Sequence, residues 1–98
     1  MLDQVKKLMD MKKQADILKK ELEATVIEVQ ETRGIKVVIN GAQIFQSIDI
    51  ESSLLSEANK NRVQMDLLRN VNTAVKRSQQ AAANKMKSMP GFNLPGLS

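Results

Sequence analysis

The stretch Ile35-Lys36-Val37-Val38-Ile39-Asn40-Gly41-Ala42-Gln43-Ile44-Phe45-Gln46-Ser47-Ile48-Asp49-Ile50 decides how the rest of the chain can fold. Two β-branched runs flank Asn40-Gly41, the strongest short-range signal for a tight hairpin. Both central positions of a type I′ turn require φ > 0, which Gly takes freely and Asn tolerates, so the pair predicts that turn. Strand alternation then sorts the faces: Ile35, Val37 and Ile39 share one face of the first strand, and Ile44, Ile48 and Ile50 one face of the second. Lys36, Ser47 and Asp49 point the other way. Two strands alone are marginal in water, so the hairpin needs a third strand and a cover for its apolar face.

Both come from the flanking sequence. Residues 25–32, Thr25-Val26-Ile27-Glu28-Val29-Gln30-Glu31-Thr32, are β-branched enough for a strand, and Arg33-Gly34 turns it into the hairpin. A three-stranded antiparallel meander over roughly 25–32, 35–40 and 43–51 follows. Ser52 or Ser53 is placed to cap a short helical turn at Leu54-Leu55. Residues 2–22 hold no Gly or Pro and read as a helix, with Val5, Leu8, Met11, Ala15, Leu18 and Leu22 on one stripe and Lys6, Lys13 and Lys20 opposite. From Lys60 to Lys87 a second helix runs uninterrupted, its inner face made by Val63, Leu67, Leu68, Val71, Ala74, Val75, Ser78, Ala82 and Met86. Arg62, Arg69, Lys76 and Lys87 lie within roughly 40° of one another on its other side, at about 100° per residue.

The expected class is therefore α+β, in the order α-β-β-β-α with two long flanking helices. A helix of about 28 residues spans roughly 42 Å, whereas the strands reach only about 20–27 Å. Part of each helix should project beyond the sheet. A lone copy would leave a sheet edge and a long apolar stripe in water, so a twofold homodimer is expected, with Ile35, Val37, Ile39, Ile44, Ile48, Leu67, Leu68 and Val71 supplying core and dimer contacts. Residues 89–98 are too rich in Pro and Gly for either element, so the domain is placed at 1–88 with a flexible tail carrying Phe92, Leu94 and Leu97.

Ninety-eight residues with 42% hydrophobic side chains suit one small domain. The chain has no Cys, so no disulfide framework and no thiolate metal site, and no apolar run approaches the roughly 20 residues that span a bilayer. No signal peptide is read at its start, and a cytoplasmic protein is expected. The net charge of +4 is unevenly spread. Residues 1–22 carry six Lys against four acids, residues 23–57 two bases against six acids, and residues 58–98 seven bases against Asp66 alone. A polyanion would meet the two ends of this chain and avoid its middle.

Three pieces taken together resemble one family. The Val37-Val38-Ile39-Asn40-Gly41 hairpin running into Ile48-Asp49-Ile50 and Ser53-Leu54-Leu55 is similar to the YbaB/EbfC nucleoid-associated proteins. So are the long helix with Leu67-Leu68, Asn72 and Ala74, and the ending Met89-Pro90-Gly91…Leu94-Pro95-Gly96. The chain departs from that pattern at Asn70 and Val71, where the family carries small residues. The resemblance implies an α-β-β-β-α fold, a tweezer-like homodimer, and duplex DNA binding with loose sequence preference in the bacterial nucleoid, with effects on nucleoid organisation and gene expression.

The cations are then the candidate site: Lys6, Lys13 and Lys20 on the first helix, with Arg62, Arg69, Lys76, Arg77, Lys85 and Lys87 on the second. The plainer reading of such stripes is a solvated helix face. Against it, a solubilising face normally mixes signs, and the second helix has seven bases to one acid. Phosphate contacts would dominate, with affinity falling by about 0.9 log unit per contact per log unit of salt. Arg62, Arg69, Arg77, Gln79, Gln80 and Asn84 are residue types that read base edges. Two Phe and no Tyr or Trp leave little for base stacking, which disfavours single strands. With no His and no Cys the chain reads as a non-enzyme without cofactor, metal or small-molecule substrate. Asp49 and Glu51, two apart on one strand face, read as solvated strand-end carboxylates. The alternative function is a protein–protein adaptor using the helix flanks and the tail; a membrane-surface role lacks aromatic anchors.

Overall fold

The computed structural model describes residues 2–89. Helix α1 (Leu2–Ala24) leads into strands β1 (Val26–Val29), β2 (Ile35–Asn40) and β3 (Phe45–Ile50). Two short 3-10 turns, Ser52–Leu54 and Glu57–Asn59, precede helix α2 (Lys60–Ser88). The sheet is an antiparallel meander in the order β1-β2-β3, as the alternation predicts. Its outer strands are shorter than expected. Thr25 lies just past the end of α1 and is tied to it, its hydroxyl donating to the Glu21 carbonyl at 2.7 Å. The first of the 3-10 turns carries no side-chain cap from Ser52 or Ser53, and the second was not expected. Phe92, Leu94 and Leu97 of the tail lie outside the described residues.

The core forms where α2 crosses β1 and β2. Val29, Val37, Ile39 and Ala74 are fully buried, with Ile27, Leu67 and Val71 packed against them. Ile35 is buried beside them on β2. Register places Val29 opposite Val37 and Ile27 opposite Ile39, so these side chains share the face turned to α2. The thinning of the α2 inner face past Val75 reflects a close approach: Ser78 is fully buried and its hydroxyl donates to the Asn40 carbonyl at 2.8 Å.

The turn after β2 is where the hairpin expectation needs correcting. Neither Asn40 nor Gly41 has positive φ; Gln43 does, at 65°. The Gln43 amide donates to the Asn40 carbonyl and the Asn40 amide to the Ile44 carbonyl, which makes a type I turn closed by a left-handed residue. Asn40 brings this about. Its Oδ1 accepts from the amides of Ala42 and Ile44, each at 3.0 Å, a local Asx arrangement that competes with the primed turn. One extra residue on β3, Gln46, follows from it: Val38 pairs with Ser47, but Ile39 pairs with Phe45. Phe45 therefore takes the face that alternation assigned to Ile44.

Gly41 is needed for proximity instead of φ. Its amide donates to the carbonyls of Leu22 at 2.8 Å and Thr25 at 3.0 Å, tying the hairpin tip to the end of α1. A Cβ there would meet the Leu22 oxygen at 3.0 Å, its Cδ2 at 3.1 Å and its Cα at 3.3 Å. Gly41→Ala is expected to lose about 1–2 kcal/mol, the crowding outweighing the gain from a stiffer unfolded chain. A denaturant midpoint equal to or above that of the parent would show that α1 yields freely.

At the far end of the sheet, Asn70 of α2 is fully buried. Its Oδ1 accepts from the Glu31 amide at 2.8 Å. Its Nδ2 donates to the Thr32 hydroxyl and to the Asp66 carbonyl, both at 2.8 Å. Asn70 and Ser78 thus pin the two ends of the β1–β2 unit to the helix, one turn of chain on either side of buried Ala74. Gly34, at φ 90°, supplies the left-handed bend between Arg33 and β2.

Candidate nucleic-acid interface

Helix α2 exists because 29 residues without Gly or Pro carry one narrow apolar stripe. Lys85 and Lys87 in its last turn also suit the negative end of the helix dipole. The charges left outward on it are almost all positive. Lys60, Arg62, Arg69, Lys76, Arg77 and Lys87 are exposed, and the stripe from Arg62 to Lys87 covers about 37 Å of helix.

Two of the nine candidate cations have acidic neighbours. Arg62 Nε lies 3.4 Å from Asp66 Oδ2, and Lys85 Nζ lies 3.6 Å from Glu21 Oε2. Both are surface pairs of the kind worth at most about 1 kcal/mol, so they cost little to break. The Lys85 pair is informative about geometry. It brings the last turns of α2 against the last turns of α1, where Leu18 is buried and Leu22 half-buried. Lys85 therefore turns toward α1 and away from the stripe of Lys76 and Lys87.

Beyond that junction α1 stands alone. Every residue from Leu2 to Lys13 is exposed, and Val5, Leu8 and Met11, assigned to its apolar stripe, are 54–66% exposed. Lys6, Lys13 and Lys20 are exposed along its other side. The fold brings Lys20 and Lys87 to the same end of the molecule, where α1 and α2 run side by side. Arg62 and Arg69 lie at the other end of α2, beside the sheet.

Of the eight residues assigned to core and dimer contacts, Ile35, Val37 and Ile39 are buried and Leu67 and Val71 half-buried. Ile44, Ile48 and Leu68 are 55%, 51% and 62% exposed, so they take no part in this chain's own core. The cause is coverage. Helix α2 lies over β1 and β2 and leaves β3, an edge strand, largely bare. Phe45, which sequence reasoning did not single out, joins Ile48 and Ile50 on that bare face through the Gln46 bulge. No sequence signal marks the bulge.

Asp49 and Glu51 border an open hollow of about 340 Å³ shared with Gln30, Arg33, Gly34 and Lys36. Two cations facing two carboxylates leave it near neutral, unlike the helix arms. Among the described residues no group of three or more acids is placed to hold a metal ion, and no helix is long and apolar enough to cross a membrane.

Against known proteins, residues 1–92 match the model of the YbaB/EbfC DNA-binding family. The chain belongs to that family. As a YbaB/EbfC protein it shares the fold of the crystal structure of an uncharacterized protein, HP0035, from Helicobacter pylori, at a TM-score of 0.74 and 24% sequence identity. That likeness covers 86% of this chain and 90% of the other. No curated protein matches. The YbaB/EbfC match spans both cationic helices and the acidic sheet between them.

Proposed function

We propose that this chain is a nucleoid-associated protein that grips double-stranded DNA chiefly through its phosphates, with low sequence specificity. One observation carries the reading: the outward face of α2 bears exposed Arg62, Arg69, Lys76, Arg77 and Lys87, with Asp66 as its one acid. Lys6, Lys13 and Lys20 extend the positive surface along α1. The acidic sheet repels the same polyanion, so contact is confined to the helical arms. The protein works as a homodimer in the cytoplasm, at the nucleoid, and its binding affects nucleoid organisation and gene expression.

Duplex mobility shifts across a salt series, with molar mass measured in parallel, test this. Six phosphate contacts would cost about a thousandfold in affinity between 50 and 200 mM salt. A flat salt response, or no shift at 50 mM, would sink the reading.

The dimer is supported by the bare β3 face, where Phe45 is 39% and Ile48 51% exposed on an unpaired sheet edge. Ile48→Asp places a charge on that face without touching the buried core. Association should weaken about a hundredfold or more, because a buried unpaired charge costs about 3–5 kcal/mol. Molar mass by light scattering reads this directly. A variant of unchanged mass would place the interface elsewhere.

A further inference from the structure

Between the cations on the outward face of the C-terminal half of α2 lie two amides and a methyl that no role in the fold accounts for. Gln80, Ala83 and Asn84 are all exposed. Neither amide makes a hydrogen bond to another described residue. At about 100° per residue Gln80 falls in line with Arg62, at one edge of the arc of about 40° defined by Arg62, Lys76 and Lys87, with Asn84 about 40° beyond that edge and Ala83 about 20° beyond the other. Gln79, the neighbouring amide, lies about 100° away and off this arc.

We propose that Gln80 and Asn84 read adenine edges in the DNA major groove, giving this protein a modest preference for A·T pairs. This rests on the duplex-binding reading above. Asn and Gln side chains match adenine in a bidentate way: the amide oxygen accepts from N6–H, and the amide nitrogen donates to N7. Gln80 and Asn84 are four residues apart, or about 6 Å along the axis, close to two base-pair steps of about 3.4 Å. Ala83 beside them presents a methyl to a thymine C5-methyl, the apolar half of A·T recognition. Lys76 and Lys87 bracket the trio at about 16 Å separation, and Arg77 flanks it. Long cationic side chains on either side of a groove about 12 Å wide would reach its phosphate walls while the helix face lies on the bases. The opposite side of this segment is occupied by buried Ser78 and half-buried Ala82, so the arm has a single face to offer.

The test uses the full chain and three duplexes of equal length: one rich in A·T pairs, the same with 7-deazaadenine for adenine, and one of G·C pairs only. The 7-deaza change removes the N7 acceptor and leaves backbone charge intact. The parent protein should bind the unmodified A·T duplex about five- to tenfold more tightly than either of the others. The Q80A/N84A variant, both changes being to the best helix former, should bind all three equally and keep the parent salt slope. Equal parent affinity for the 7-deaza and unmodified duplexes, or a Q80A/N84A variant that still discriminates, would overturn the assignment while leaving phosphate-driven binding in place. Failure of the parent to bind any of the three would instead remove the duplex-binding reading beneath it.

Discussion

Replacing Lys76, Arg77 and Lys87 by Ala is expected to weaken duplex binding several hundredfold at about 0.1 M salt. Each phosphate contact contributes a slope of about 0.9, which is about eightfold at 0.1 M relative to 1 M salt, and three contacts multiply to about 500-fold. The slope itself should fall by about 2.7 per chain. Binding curves for parent and variant should therefore converge as salt rises, a pattern that loss of folding would not produce. All three side chains are exposed on α2, and Ala favours the helix, so melting temperature should change little. Lys85 provides the internal comparison. Its ammonium lies 3.6 Å from Glu21 and faces α1, so Lys85→Ala should cost much less than any one of the three. A loss below tenfold in the triple variant, with the slope unchanged, would mean that the α2 arm does not carry the DNA.

The second large effect concerns stability. Asn70→Leu is expected to lower unfolding free energy by about 3 kcal/mol. The volume is nearly kept, so packing is not the reason. Fully buried Asn70 satisfies three partners at the edge of the core: the Glu31 amide, the Thr32 hydroxyl and the Asp66 carbonyl. Leucine would leave the Glu31 amide without an acceptor, where one orphaned buried group costs about 1–3 kcal/mol. In a domain of this size that corresponds to a fall in Tm of more than about 10 °C. Ser78→Ala removes a single bond to the Asn40 carbonyl and should cost about 1 kcal/mol, so the two variants rank the two anchors. If Asn70→Leu melted with the parent, water or a shifted strand end would have to replace all three bonds.

Much of the fold was legible in the linear order of residues. The β-branched runs around Asn40-Gly41 located the hairpin, and Arg33-Gly34 located the bend before it. Long stretches without Gly or Pro marked both helices to within a turn. The clustering of cations on the two ends of the chain, and of acids in its middle, needed no coordinates. These features are local or additive: a strand's period is two, a helix's about 3.6, and charge is counted residue by residue.

What only the tertiary structure decided is which apolar faces are covered and how the polar junctions close. Alternation placed Ile48 on an inner face, but α2 is one helix wide and covers two strands, so Ile48 is left uncovered by its own chain. Helical spacing put Leu67 and Leu68 on one face, and packing buried only Leu67 further. Asn40-Gly41 was a turn for reasons other than the expected ones: the Asn40 amide oxygen ties the loop, and Gly41 admits the Leu22 backbone. Asn70, a departure from the family pattern in sequence, became the anchor of the β1–β2 turn because its partners lie 38 and 39 residues away. Periodicity says which way a side chain points along its own element. Whether another element is there to meet it depends on contacts between residues far apart in the chain, and those form only when the whole domain has closed.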